Sequence, residues 1–208
     1  MSTDAVLQPP TAWAIWITGL PGSGKTTLAW SAAEALGARS IPVRVLELAD
    51  VRRALLDDGP ESDASREIVH HALAYTAKLL TDAGVAVIVD ATSPRRSWRE
   101  LARDLIAHFA EVQLVCSRDV CGERERATRW HLGSCASTAR PVRPTAVAPD
   151  IIVDYEHALH PELTLHTDIQ DVSTTLAELL RLAHRLHRTV GAADKHEVVP
   201  TRKPTLGG

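Results

Sequence analysis

The sequence is poor in cysteine: Cys116, Cys121 and Cys135 make an odd count in 208 residues, and none stands in a paired CxxC spacing. That excludes a zinc site of the paired-cysteine kind and offers no disulfide framework, so reduced thiols packed as small hydrophobes are expected. Long apolar runs are missing too. The longest uninterrupted one, residues 12–17, falls far short of the ~20 residues a bilayer requires. Residues 1–11 show no basic start followed by an apolar stretch, which argues against a secretory leader and for a cytoplasmic protein. Neither sign of charge dominates, since 23 Lys and Arg against 26 Asp and Glu leave a formal charge of −3. Nucleic acid and acidic membranes are therefore not expected as partners. Eleven glycines and twelve prolines are too few for a collagen-like or low-complexity chain, and 45% hydrophobic residues are ample for a buried core.

What is present is an alternation of short apolar runs with longer helical patterns. Strands are expected at 12–18, 42–48, 85–89, 111–116 and 163–166, and helices at 25–36, 65–81, 96–109, 120–130 and 171–186. Strands that are apolar throughout and separated by helices predict a mainly parallel sheet covered on both faces, with Trp13 and Trp16 in the core. Residues 1–11 read as a flexible N-terminal arm, 12–190 as the folded domain and 191–208 as a disordered tail. One segment breaks the rhythm. Residues 131–150 are rich in small residues and proline, and a connection of that length is either a functional lid, spanning about 118–150, or a disordered insertion. His70-His71 reads as a helix pair rather than a metal site, because adjacent helical residues do not share a face.

Gly19-Leu20-Pro21-Gly22-Ser23-Gly24-Lys25-Thr26, followed by Thr27, matches GxxxxGK[ST] with a strand before it and a helix after it. Glycines at these places let backbone N–H groups turn in around phosphate oxygens, and the following helix presents its positive end. Lys25 then reaches the β- and γ-phosphates, and the Thr26 hydroxyl ligates Mg²⁺. This predicts an ATP and Mg²⁺ site on a three-layer α/β/α P-loop NTPase fold with a mainly parallel sheet and a lid segment. Residues 85–90, an apolar strand ending in Asp90, have the form of a Walker B element. Asp90 would order Mg²⁺ or take a proton, or else cap the next helix, although Ser93 is better placed for that. After the second strand, Glu47, Asp50 and Arg52 form an acceptor-side set: an acid to activate a hydroxyl and a guanidinium to hold an anion. Helix capping by Asp50 with Arg52 and Arg53 in solvent is an equal reading. Six arginines against three acids between residues 118 and 143 suit either a phosphoryl clamp or a solvated face.

These motifs resemble the adenylylsulfate kinase family, small P-loop kinases that phosphorylate the 3′-hydroxyl of adenosine 5′-phosphosulfate with MgATP. The resemblance runs from about Ala14 to Leu182. It rests on the phosphate loop, on the stretch from Ala77 to Arg103 with Ser93, Pro94, Arg96 and Arg99, and on Tyr155, Glu156, Pro161, Glu162, Leu163 and Thr167. It implies that Arg124 binds nucleotide and that Arg66, Ser93 and Arg126 join Glu47 and Arg52 at the substrate. A homodimer is an option that the resemblance leaves open. Departures fall on the acceptor side. The family's Asp-Gly-Asp-x-x-Arg reads Glu47-Leu48-Ala49-Asp50-Val51-Arg52, and Val69 stands where an asparagine is expected three residues after Arg66. The lid signature is reduced to Arg124-Glu125-Arg126, and Phe109 is the sole phenylalanine, so no second aromatic of that type can sandwich an adenine.

The expectation is thus a phosphotransferase that moves the γ-phosphoryl of MgATP to an anionic small molecule, with Lys25 and either Asp50 or Asp90 as catalytic groups. Adenosine 5′-phosphosulfate or a related nucleotide is the expected acceptor. A different anionic metabolite or natural-product intermediate is the alternative, and a nucleotide-binding regulator without activity is the rival from another class.

Overall fold

The computed structural model describes residues 12–56, 62–134 and 154–196, with 129–134 and 193–196 described by their backbone alone. The expected arm at 1–11, the later part of the expected lid at 135–150 and the end of the expected tail lie outside these residues.

Among the described residues five strands and six helices follow one another as β1 (Ala14–Gly19), α1 (Lys25–Gly37), β2 (Val43–Glu47), α2 (Leu48–Leu55), α3 (Asp63–Asp82), β3 (Ala86–Asp90), α4 (Arg96–Leu105), β4 (Phe109–Val115), α5 (Arg118–Ser134), β5 (Leu163–His166) and α6 (Val172–His196). The strands form one sheet in the order β2-β3-β1-β4-β5, and every pairing is parallel.

Strand alternation sorts the core into two halves. Ile15 and Ile17 of β1 point into one cluster with Leu28, Ala29, Ala32 and Leu36 of α1 and Leu179 and Ala183 of α6. Ala14 and Trp16 point into the other, with Leu73, Ala74 and Ala77 of α3 and Ala102 of α4. Period-two alternation on a strand buried from both sides is what an all-apolar sequence permits. Each fully buried Ile, Leu or Val contributes about 1.5–3 kcal/mol, so β1 anchors the three-layer sandwich. Trp13 and Trp16 lie in this core as expected.

Several boundaries differ from the sequence expectation. The helix expected through Phe109 ends at Leu105, and Phe109 opens β4 instead; its ring lies 6.3 Å from that of Trp16. Ser93 does not cap α4. Arg95 holds that position, while Ser93 is buried at a positive φ of 39° and accepts a hydrogen bond from the Trp16 indole at 3.2 Å. The last helix continues through His196, beyond its expected end at 186. Helix α3 begins at Asp63, earlier than expected, because Ser62 and Ser65 cap its first turn reciprocally.

Candidate functional site

The site is built where β1 runs out. Gly22 and Gly24 hold left-handed backbone, with φ of 76° and 94°, a conformation a side chain would strain. At Gly22 a Cβ would also stand 2.3 Å from the Cys121 carbonyl oxygen, so α5 packs directly against the loop. Gly24 is the N-cap of α1 and no side chain caps that helix. Its first N–H groups are left for an anion, as a phosphate loop requires.

Lys25 is buried, and its ammonium donates to the carbonyl oxygens of Gly19 at 3.1 Å and Leu20 at 2.9 Å. Burial pushes it below the usual lysine range, against the opposing pull of negative charge at Asp90 and Glu125. The next residue faces the sheet: the Thr26 hydroxyl donates to Oδ2 of Asp90 at 2.5 Å. Asp90 is the last residue of β3, pairs with Ile17 on one side and Glu47 on the other, and is buried. It therefore does not cap α4. A hydroxyl and a carboxylate in contact are the hard oxygen donors that Mg²⁺ takes, so this pair fits the expected metal.

Glu47, in register with Asp90, closes β2 and is the N-cap of α2. Its Oε1 accepts a hydrogen bond from the Trp30 indole at 2.9 Å. Asp50, read equally as a helix cap or an acceptor-side acid, does not hold the cap position: Glu47 stands there without a side-chain cap bond, and Asp50 sits in the first turn of α2, exposed, 2.9 Å from Arg53. Arg52 is half-buried on the same helix. Arg66 lies in the first turn of α3, 3.6 Å from Asp63.

On the opposite flank of the loop, a cavity of about 220 Å³ is lined by Ser23, Gly24, Thr27, Leu28, Arg124, Thr167, Gln170, Val172 and Thr175. Arg124 donates to the Thr167 carbonyl at 2.7 Å, while the Thr167 hydroxyl donates to the Ser23 carbonyl at 2.9 Å. Arg126 is exposed further along α5. Cys116 and Cys121 are buried free thiols as expected. Burial, with a hydrogen bond between the two thiols, pushes Cys121 up to about 12.

Behind the loop a buried arginine organises the turn after β3. Arg99 donates to Oε1 of Glu111 and to the carbonyl of Glu156, both at 2.6 Å, and to the carbonyl of Ser93. The Ser93 side chain is thereby committed to the Trp16 indole and its backbone to Arg99, so what it offers a substrate is the strained turn it holds. Tyr155 lies beneath the same guanidinium, 5.3 Å from ring centre to charge. Its hydroxyl donates to Thr18, which in turn donates to the Thr92 carbonyl. Burial pushes the Tyr155 phenol above its usual range. His70 is buried and stacks on Trp98 at 3.9 Å, in keeping with a packed helix pair.

The structure thus brings together Lys25, Thr26, Asp90 and Glu47 at the loop, and Thr27 and Arg124 at the cavity. It pairs Asp50 and Arg66 with neighbours on their own helices. Two participants went unread in the sequence. Trp30 follows Thr26 by one helical turn, a spacing that signals a shared face. Glu125, whose Cγ would lie 3.0 Å from a Cβ at Gly22, overhangs the loop.

A model of the adenylylsulphate kinase family matches residues 11–133. The adenylyl-sulfate kinase of Prochlorococcus marinus is 32% identical over 168 residues, 80% of this chain and 80% of its own. That of Gloeothece citriformis is 32% identical over 178 residues, 83% of this chain and 94% of its own. The structure of the Mycobacterium tuberculosis APS kinase CysC, in complex with AMPPNP and APS, is similar with a TM-score of 0.67 at 27% identity, covering 85% of this chain and 99% of that one. A gluconokinase from Sinorhizobium meliloti shares the fold at a TM-score of 0.59 and 20% identity, covering 88% of this chain and 98% of its own.

Proposed function

Because this chain belongs to the adenylylsulphate kinase family, and so is an ATP-dependent phosphotransferase with a hydroxyl acceptor, we propose that it phosphorylates adenosine 5′-phosphosulfate at the 3′-hydroxyl. The observation that carries this is the loop itself: left-handed Gly24, an uncapped α1, buried Lys25 and the Thr26–Asp90 contact. The triphosphate lies on the N–H groups of the loop, with the nucleoside in the cavity beside Arg124 and Thr27. Lys25 exchanges its two loop carbonyls for phosphate oxygens and neutralises charge as the phosphoryl group moves. The Thr26 hydroxyl and Asp90 would hold Mg²⁺, which would supply neutralising charge to the triphosphate. Arg52, Arg66 and Arg126 hold the anionic acceptor, and Ser93 supports the turn beneath it. The protein works in the cytoplasm, alone or as a homodimer; no described helix is long and apolar enough to cross a membrane.

A second reading, the same reaction on another small anionic acceptor, is favoured by particular residues. Val69, at the position where the family has an asparagine, is buried, and Asp50 is engaged with Arg53. Coupled ADP release with MgATP separates the two, with Lys25→Ala as control. Release stimulated by adenosine 5′-phosphosulfate and abolished by Lys25→Ala supports the first reading. No stimulation above water, with ATP still bound, sends the assignment to other anionic acceptors. Turnover unchanged in Lys25→Ala would overturn both.

A further inference from the structure

Two carboxylates approach the phosphate loop, and only one of them has a part in the chemistry described above. β1 lies between β3 and β4 in the sheet, so the loop that follows it has the end of β3 on one flank and α5, which follows β4, on the other. Asp90 comes from the β3 side and accepts the Thr26 hydroxyl. Glu125 comes from the α5 side. It follows Cys121 by one helical turn and shares its face. A Cβ at Gly22 would stand 2.3 Å from the Cys121 carbonyl oxygen and 3.0 Å from Cγ of Glu125. Lys25 feels both acids: burial lowers its ammonium below the usual lysine range, and the carboxylates of Asp90 and Glu125 are among the groups that oppose this.

An acid at this place runs against the purpose of the loop. A cradle for phosphate gains from positive charge, and a carboxylate packed on it weakens the binding of any anion. The helix does not call for the acid either. Acidic side chains favour the first turn of a helix, where α5 already has Asp119, and Glu125 lies well past it. Glu125 is half-buried, so solvent and salt screen it less than a surface charge. Its neighbour Arg124 is turned to the cavity, where it donates to the Thr167 carbonyl at 2.7 Å and to Sγ of Cys116 at 3.8 Å. α5 thus offers a cation to the cavity flank of the loop and a carboxylate to the loop itself.

The size of the penalty depends on what the loop holds. Metal-free ATP carries more negative charge than its Mg²⁺ complex, so a fixed carboxylate repels the metal-free form more strongly. We propose that Glu125 is a specificity-determining residue, which makes the phosphate loop select Mg²⁺-complexed ATP over metal-free ATP; this deepens the nucleotide-site reading above and rests on it. The two acids then divide the selection between them. Asp90, in contact with Thr26, would attract the metal. Glu125, on the other flank, turns away the nucleotide that lacks it.

The test is calorimetric titration with a non-hydrolysable ATP analogue, once in excess Mg²⁺ and once in excess chelator at the same ionic strength. Four proteins are compared: wild type, Glu125→Gln, Glu125→Asp and Glu123→Gln. Glu125→Gln keeps the shape and removes the charge. It is expected to tighten the metal-free analogue about tenfold and the Mg²⁺ complex by no more than about threefold, with the gain shrinking as salt is raised. Glu125→Asp keeps the charge and is expected to stay with wild type. Glu123→Gln makes the same charge change on an exposed residue of the same helix and is expected to leave both affinities as they are. An unchanged metal-free affinity in Glu125→Gln, or equal tightening of both forms, would overturn the inference while leaving the nucleotide site intact. A gain as large in Glu123→Gln would also overturn it, since net charge alone would then explain the effect. If wild type binds the analogue under neither condition, the nucleotide-site reading falls and this inference falls with it.

Discussion

The hydroxyl of Thr167 donates to the carbonyl oxygen of Ser23 at 2.9 Å, joining the end of β5 to the phosphate loop across 144 residues of sequence. The same residue accepts from Arg124 through its carbonyl, so one threonine fixes both the loop and the wall of the adjoining cavity.

Thr167→Val removes the donor while keeping the shape. The loss of one hydrogen bond is worth about 1 kcal/mol, so nucleotide affinity is expected to fall about fivefold with the fold retained. Calorimetric titration with a non-hydrolysable ATP analogue measures it, and an unchanged affinity would mean that the loop holds its shape without β5.

Gly22→Ala is expected to be far more damaging, because its Cβ would stand 2.3 Å from the Cys121 carbonyl at a positive φ. Either α5 moves away or the loop does. Nucleotide binding should be lost by the same titration, whereas Gly37→Ala, with nothing within 4 Å of its Cβ, serves as the tolerant comparison.

Arg99→Met leaves Glu111 buried without the ion pair that holds it at 2.6 Å. Breaking one side of a buried pair typically costs about 3–5 kcal/mol. Arg99→Met with Glu111→Leu should recover part of that loss, as read from urea midpoints. Equal stability of the single and double variants would show that the cost lies in the Ser93 and Glu156 carbonyls instead.

The pH dependence of folding carries a signature of Glu162. Burial alone would raise its carboxyl. Hydrogen bonds from Arg103 and from the Glu111 backbone outweigh that and hold it below the usual range. The folded state therefore binds the proton less readily than the unfolded chain. The stabilisation is complete above about pH 4.3, the ordinary glutamate value, and is lost as pH falls through the lower folded value. The midpoint difference between wild type and Glu162→Gln should be constant at neutral pH and shrink below about pH 4.3. A difference that stays constant on acidification would remove Glu162 from the acid response.

Much of the fold was legible because the signals are local. The loop Gly19–Thr26 carries its function in spacing alone, and the apolar β1 and β3 announce a sheet buried on both faces. Phe109 misled because an apolar residue extends a helix period as readily as it begins a strand. Ser93 misled because the strained turn it occupies is imposed by Arg99 and Trp16, neither visible from its neighbours in sequence. The site was less legible than the fold. Asp50 and Glu47 are three residues apart, and which of them stands beside Asp90 depends on the β2–β3 register. Trp30 is an unremarkable helix residue until Glu47 is known to face it.

The central strand of the sheet is also the first to be made. β1 is flanked by β3 and β4, so as the chain is made its most apolar segment precedes both of its partners. The strand that leads into the phosphate loop is therefore held in place by segments that come later in the sequence. The exposed interval belongs to residues 14–19, a segment that a chaperone would be expected to shelter.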